Sequence, residues 1–171
     1  PGKMICMAGN YMESGHLSEP NPLNAFLKSP NSTIGQGDTI VIPSAEASVF
    51  EHEAELGIVI GKTASEIRED DAYDYVFGYS NFVDVSHRGR QDDGLRHNFF
   101  DGKSWDTFGP MGPALVTADE VPDPQNLSVK LWVQEDIRQD YNTSDMGHTI
   151  KATLAWITWI TALQPGDVVA C

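Results

Sequence analysis

Apolar and polar positions alternate in short stretches along most of this chain and switch to a helical period late. "KMICMAGNY", from Lys3, is an apolar run stopped by Gly9 and Asn10, and it predicts an opening strand. "MESGHLSEPNPLNAF" is polar and broken by Gly15, Pro20 and Pro22, which predicts a loop with a helical turn. "GDTIVIP" predicts a short strand closed by Pro43, and "FEHEAELGIVIGK", Phe50 to Lys62, a longer one. In "SEIREDDAYDYVFGYS", Ser65 is placed to cap a short acidic helix. "YSNFVDVSHRGRQ" begins as a strand and ends in a basic turn.

"FDGKSWDTFGPMGPAL" has the glycines and prolines of an ordered loop. "LSVKLWVQED" places Leu127, Val129, Leu131 and Val133 on one face of a half-buried strand. "TIKATLAWITWITAL" sets Leu154, Ile157, Thr158 and Thr161 at helical spacing, and Pro165 and Gly166 stop it before a last strand, "DVVAC". Trp132, Trp156 and Trp159 are expected in the core, where aromatics are normally used. Many short strands with two or three short helices give a mostly β fold with short helices (α+β). It forms a single domain over residues 1–171, with a lid or loop region at residues 11–30.

Composition narrows the function. The 40% apolar and 21% charged residues are those of a globular chain. Lys and Arg number 11 against 25 Asp and Glu, and the net charge of −14 argues against nucleic acid and anionic membrane as partners while suiting a cation. No stretch approaches the ~18 apolar residues of a bilayer span, so the expectation is a soluble, cytoplasmic protein. The two cysteines, Cys6 and Cys171, offer neither metal-ligand spacing nor a disulfide framework, and Cys6 reads as a small buried hydrophobe.

In "FEHEAELGIVIGK", strand alternation puts Glu51, Glu53, Glu55, Gly57 and Val59 on one face and Leu56, Ile58 and Ile60 on the other. Successive acids on that face lie about 6–7 Å apart along the strand and repel unless neutralised. A hard divalent cation would neutralise them, since Mg²⁺, Mn²⁺ and Ca²⁺ take oxygen ligands. A solvated acidic sheet edge is the alternative. A third oxygen ligand decides between them, and Asp84, set in an apolar strand where a lone charge is costly, is the candidate. His52 points to the other face and is not counted as a ligand.

Several segments then resemble one family, in order and over nearly the whole chain. They are "GNY" from Gly9, "AFLKSPNSTIGQGDTI", "EHEAELGIVIGK", "VFGYSNFVDVSHRGRQ", "DGKSWDTFGPMGPALVTADEVPDPQNL", "RQDYNTSDM" and "LQPGDVV". The family is that of fumarylacetoacetate hydrolase, whose catalytic domain is shared with acylpyruvate hydrolases, hydroxyheptadienedioate isomerases and related decarboxylases. The resemblance implies a mixed β-sandwich roll, a homodimer or larger assembly, and a divalent metal, Mg²⁺ first with Mn²⁺ or Ca²⁺ as alternatives. Its metal ligands fall on Glu53, Glu55 and Asp84, which leaves Glu51 a bystander. Its substrate-binding turn falls on Ser86, Arg88 and Gln91, and its lysine facing the bound substrate on Lys103.

Family members that cleave C–C bonds carry a His-x-x-Glu dyad on a lid. Here Ser14 stands at the family's histidine position, and His16 and Glu19 keep the spacing two residues late. They are carried as the water-activating dyad, with the histidine suited to act near neutral pH. Gly89 replaces the family's usual Asp, with His87 as a substitute polar group. These groups imply hydrolysis of a C–C bond in a small 2-oxo acid, an acylpyruvate or a fumarylacetoacetate-like compound, through a metal-stabilised enolate. Isomerase or decarboxylase chemistry on 2-oxo or 2-hydroxydienoic acids is the alternative, and a non-catalytic scaffold subunit another. The family continues beyond the position of Cys171, so "DVVAC" is expected at an open sheet edge, lacking the last strands, which a second polypeptide would supply unless the sequence is a truncated piece of a longer chain.

Overall fold

The computed structural model describes residues 1–44, 49–89 and 98–171. Its strands are β1 (Met4–Met7), β2 (Ala25–Lys28), β3 (Thr33–Ile34), β4 (Val49–Ile60), β5 (Val76–Arg88), β6 (Gly109–Pro110), β7 (Val116–Thr117), β8 (Ser128–Val133), β9 (Asp136–Asn142) and β10 (Val168–Ala170). Two α-helices join them, α1 (Phe99–Lys103) after β5 and α2 (Ile150–Ile160) before β10. Six strands form one mixed sheet in the order β2-β1-β10-β4-β5-β7, in which only β1 and β10 run parallel. β3 pairs with β6, and β8 with β9, in separate two-stranded sheets. The mostly β expectation holds.

The sheet's two faces follow from the alternation in β4. Leu56, Ile58 and Ile60 turn to one face and pack with Ile150, Leu154 and Ile157 of α2. Val59 turns to the other and joins Met4, Cys6, Phe26 and Phe82. Burying each large aliphatic side chain contributes roughly 1.5–3 kcal/mol, so the helix-covered face is the main source of cohesion. α2 is started by Thr149, whose Oγ1 accepts from the Ala152 N–H at 3.2 Å. At the sheet's far edge, a Cβ on Gly78 would stand 2.2 Å from the Val116 carbonyl oxygen, so only glycine lets β7 pair with β5.

Several elements differ from expectation. β10 is not an open edge: it lies inside the sheet, paired with β1 on one side and β4 on the other, and its apolar residues are buried for that reason. Residues 38–43 form no strand, since none of the described residues pairs with them in a ladder; Ile40, Val41 and Ile42 are exposed, and the Val41 N–H is taken by Thr107 Oγ1 at 2.8 Å. The acidic helix is a 3₁₀ segment, Glu69–Tyr75, that starts after Arg68 rather than at Ser65, since Glu66 takes a positive φ of 51° that interrupts a helix. The end of the region read as a lid, 25–28, is β2, an edge strand of the main sheet. The loop from Phe100 begins inside α1. Trp132 and Trp159 are 54% and 72% exposed, since β8 has one solvent face and Trp159 falls outside the helix face that carries Leu154 and Ile157; Trp156 is half-buried.

Candidate metal centre

Antiparallel pairing of β4 with β5 builds the site. Glu53 lies opposite Asp84, and Glu55 opposite Phe82, so the two strands present Glu53, Glu55 and Asp84 on one face. One carboxylate oxygen from each lies within 4.8 Å of the others. Asp84 is fully buried, and Glu55 Oε2 is sealed from solvent with no hydrogen-bond partner. Burial, then the charge of Asp84, pushes the Glu55 carboxyl well above its ordinary range, while Lys103 works against both. Three converging carboxylates, one of which has a buried oxygen without a partner, suit a hard divalent cation. His52, on the opposite face, is exposed and takes no part.

Cations close the cluster. Lys103, the last residue of α1, places its ammonium 2.5 Å from both Glu53 Oε2 and Asp84 Oδ2. Burial pulls its pKa down, but Asp84 and Glu53 together outweigh that and raise it, so it stays charged. Arg88 donates from Nε to Glu51 Oε2 at 2.6 Å and from a terminal nitrogen to Glu53 Oε1 at 2.5 Å. Glu51 is therefore not a bystander: it orients the arginine. Lys28, which pattern reading missed, is fully buried and donates to Asp84 Oδ1 at 2.6 Å, to the Val85 carbonyl at 3.2 Å and to the Lys103 carbonyl. Its signal was present in "AFLKSP", where Phe26 and Lys28 share the buried phase of a strand whose Leu27 is exposed.

These residues open on a cavity of about 520 Å³ that Glu53, Glu55, Arg88 and Lys103 line on one side. Tyr11, Glu13, Gln139 and Tyr141 line the other. Gln139 Oε1 accepts from the Ala54 N–H at 2.7 Å and the Tyr141 hydroxyl donates to the Ala54 carbonyl, so β9 is fixed to β4 beside the acids. The other expected residues are not gathered here. Ser86 is fully buried, and its hydroxyl donates to the Asp84 carbonyl at 3.2 Å, which makes it part of the strand and not of the cavity wall. His87 turns to the opposite face, against Phe50 and Trp105. Gln91 lies outside the described residues. His16 and Glu19 are exposed and absent from the cavity wall; of residues 11–30, Tyr11, Glu13 and Phe26 line it, Glu13 being exposed and held at a positive φ of 54°.

With the fold and the acids in view, the chain matches the fumarylacetoacetate (FAA) hydrolase C-terminal family over residues 3–171. It belongs to that family. It is 40% identical over 171 residues to the mitochondrial oxaloacetate tautomerase fahd2 of Xenopus laevis, covering 98% of this chain and 53% of that protein. It is 36% identical to the oxaloacetate tautomerase YisK of Bacillus subtilis, covering 98% and 56%. Among solved structures, it resembles maleylpyruvate hydrolase from Sphingobium sp. SYK-6, in complex with manganese(II) and pyruvate, with a TM-score of 0.85, 38% identity, and coverage of 99% and 59%. It resembles 5-carboxymethyl-2-hydroxymuconate delta-isomerase from Mycobacterium smegmatis with a TM-score of 0.86, 33% identity, and coverage of 99% and 66%. The chain thus spans about half of those tautomerases, and its homologues include hydrolases, isomerases and tautomerases. No helix among the described residues is long and apolar enough to cross a membrane.

Proposed function

We propose that this chain carries the active face of a divalent-metal-dependent enzyme that moves a proton beside the keto group of a small 2-oxo acid, a tautomerase or isomerase. The observation that carries the choice is the make-up of the cavity wall: Glu13 is on it, and His16 and Glu19 are not. C–C hydrolysis needs a group that activates water; proton shuttling needs one acid or base at the substrate carbon. Glu13 supplies it, lining the cavity in a backbone conformation that costs a non-glycine residue about 1–2 kcal/mol.

Glu53, Glu55 and Asp84 would hold Mg²⁺ or Mn²⁺, which supplies Lewis-acid polarisation of the 2-oxo group. Arg88 and Lys103, the cations of the wall, attract the substrate carboxylate and stabilise negative charge as it develops on oxygen. The Glu13 carboxylate takes the proton from the carbon next to the keto group and returns it. Support from outside the chain comes from the oxaloacetate tautomerase relatives.

Hydrolysis is the second reading, favoured by the likeness to maleylpyruvate hydrolase, and it requires His16 and Glu19 to enter the cavity. Both readings are tested on oxaloacetate and a panel of acylpyruvates, with chelator and with added Mg²⁺ or Mn²⁺. The expected result is chelator-sensitive keto–enol exchange that falls about 100-fold or more in Glu13→Gln and by less than about threefold in His16→Ala, the scale of a lost general base. Cleavage products that vanish in His16→Ala would establish hydrolysis instead. Activity indifferent to chelator would overturn the metal reading.

A further inference from the structure

Lys28 is the least expected residue in the fold: a lysine at the end of an edge strand with its side chain completely out of water. Lysine is almost never buried unless paired, because an unpaired interior ammonium is too costly. Here its three N–H donors meet three acceptors, namely Asp84 Oδ1 and the main-chain carbonyls of Val85 and Lys103. The register explains the reach. Lys28 lies opposite Met4 in β1, so its side chain enters the same sheet face as Met4 and Phe26, the face on which the acids converge.

β2 and the residue after it also hold α1 and its C-cap. Phe26 stacks on Phe99 with centroids 4.6 Å apart and planes 8° from parallel, and the Ser29 N–H donates to Ser104 Oγ at 3.1 Å. Lys28 does not line the cavity, and its donors are taken up by protein acceptors. What it touches are one oxygen of Asp84, a member of the three-carboxylate cluster, and the backbone of Lys103, whose residue lines the cavity.

We propose that Lys28 is a positioning residue for the metal centre. It pins Oδ1 so that Asp84 offers the site one oxygen, Oδ2, and it holds the Lys103 carbonyl so that the lysine side chain leaves α1 toward the acids. The inference rests on the metal-centre reading above and adds to it a residue outside the ligand set. Such outer partners fix ligand orientation, and their loss typically lowers metal affinity or activity about 10- to 100-fold.

The test uses Mn²⁺ as probe, titrated into the 171-residue chain and followed by electron paramagnetic resonance. Lys28→Met keeps the length of the side chain and removes its donors; Lys28→Gln keeps two of them. Below the melting temperature of each variant, Mn²⁺ affinity is expected to fall about tenfold or more in Lys28→Met and less in Lys28→Gln, with kcat falling in the same order and KM nearly constant. Folded variants that bind Mn²⁺ like the wild type, whatever their melting temperature, would reduce Lys28 to a structural residue and overturn the proposal. A wild type that does not bind Mn²⁺ would instead overturn the metal-centre reading. Should neither variant fold, lysine ammonium NMR of the wild type decides. A slowly exchanging Lys28 signal retained on adding Mg²⁺ supports the proposal, and its loss into fast exchange refutes it.

Discussion

Lys103 stands among the oxygens that a divalent cation would use, 2.5 Å from one on Glu53 and one on Asp84. Two positive charges cannot share those oxygens without cost, so ammonium and metal compete. Lys103→Met is therefore expected to leave Mn²⁺ affinity equal to or higher than that of the wild type while kcat falls about 100-fold, because the same group stabilises negative charge on the substrate. Equilibrium titration set beside turnover checks this. A parallel loss of affinity would mean that Lys103 builds the metal site and does not merely border it. Glu51 illustrates a similar point about roles. It belongs to the acidic face of β4 but is not within the three-oxygen cluster, and its part is to hold Arg88 at 2.6 Å.

At the level of elements, β4 does two jobs with one alternation: one face closes the core and the other carries the acids. The helix that covers the core face depends on Leu154, which is fully buried. Leu154→Ala is expected to destabilise the chain by about 2–5 kcal/mol, read as a lower denaturant midpoint with an unchanged slope. β4, β5 and α2 were legible in the sequence because each is long and strongly periodic, so local pattern alone selects its buried face. Glu53, Glu55 and Asp84 were legible for the same reason, two acids in phase and one acid in an apolar strand. The stretch at 38–43 was not, because a strand-like sequence needs a partner, and which partners exist is decided far away in the chain. Lys28 and Glu13 were missed on similar grounds. One acquires its role through the pairing of β2 with β1 and the docking of α1, the other through a strained turn that no periodicity records.

Taken whole, the chain carries a net charge of −14, yet cations hold its key junctions. Two segments 164 residues apart are tied by Asp167, which accepts from the Lys3 N–H and the Gln164 N–H at 2.8 Å each and pairs with the Lys3 ammonium at 2.7 Å. Burial raises its pKa, but the Lys3 side chain and the two N–H groups together outweigh burial and lower it. A carboxylate lowered on folding adds stability that is complete above the unfolded value of about 3.9 and is lost as pH falls through the folded value. Asp167→Asn is thus expected to melt below the wild type at neutral pH, with the gap closing under about pH 4. A gap that persists into stronger acid would assign the effect to shape rather than charge. Asp167 sits just before β10, the strand that fills the middle of the main sheet between β1 and β4. During synthesis on the ribosome, β1 emerges with its parallel neighbour more than a hundred residues from being made, and β4 and β5 wait with one long flank open. Until β10 is made, the nascent chain therefore carries unpaired, apolar strand edges, the kind of surface through which folding intermediates associate.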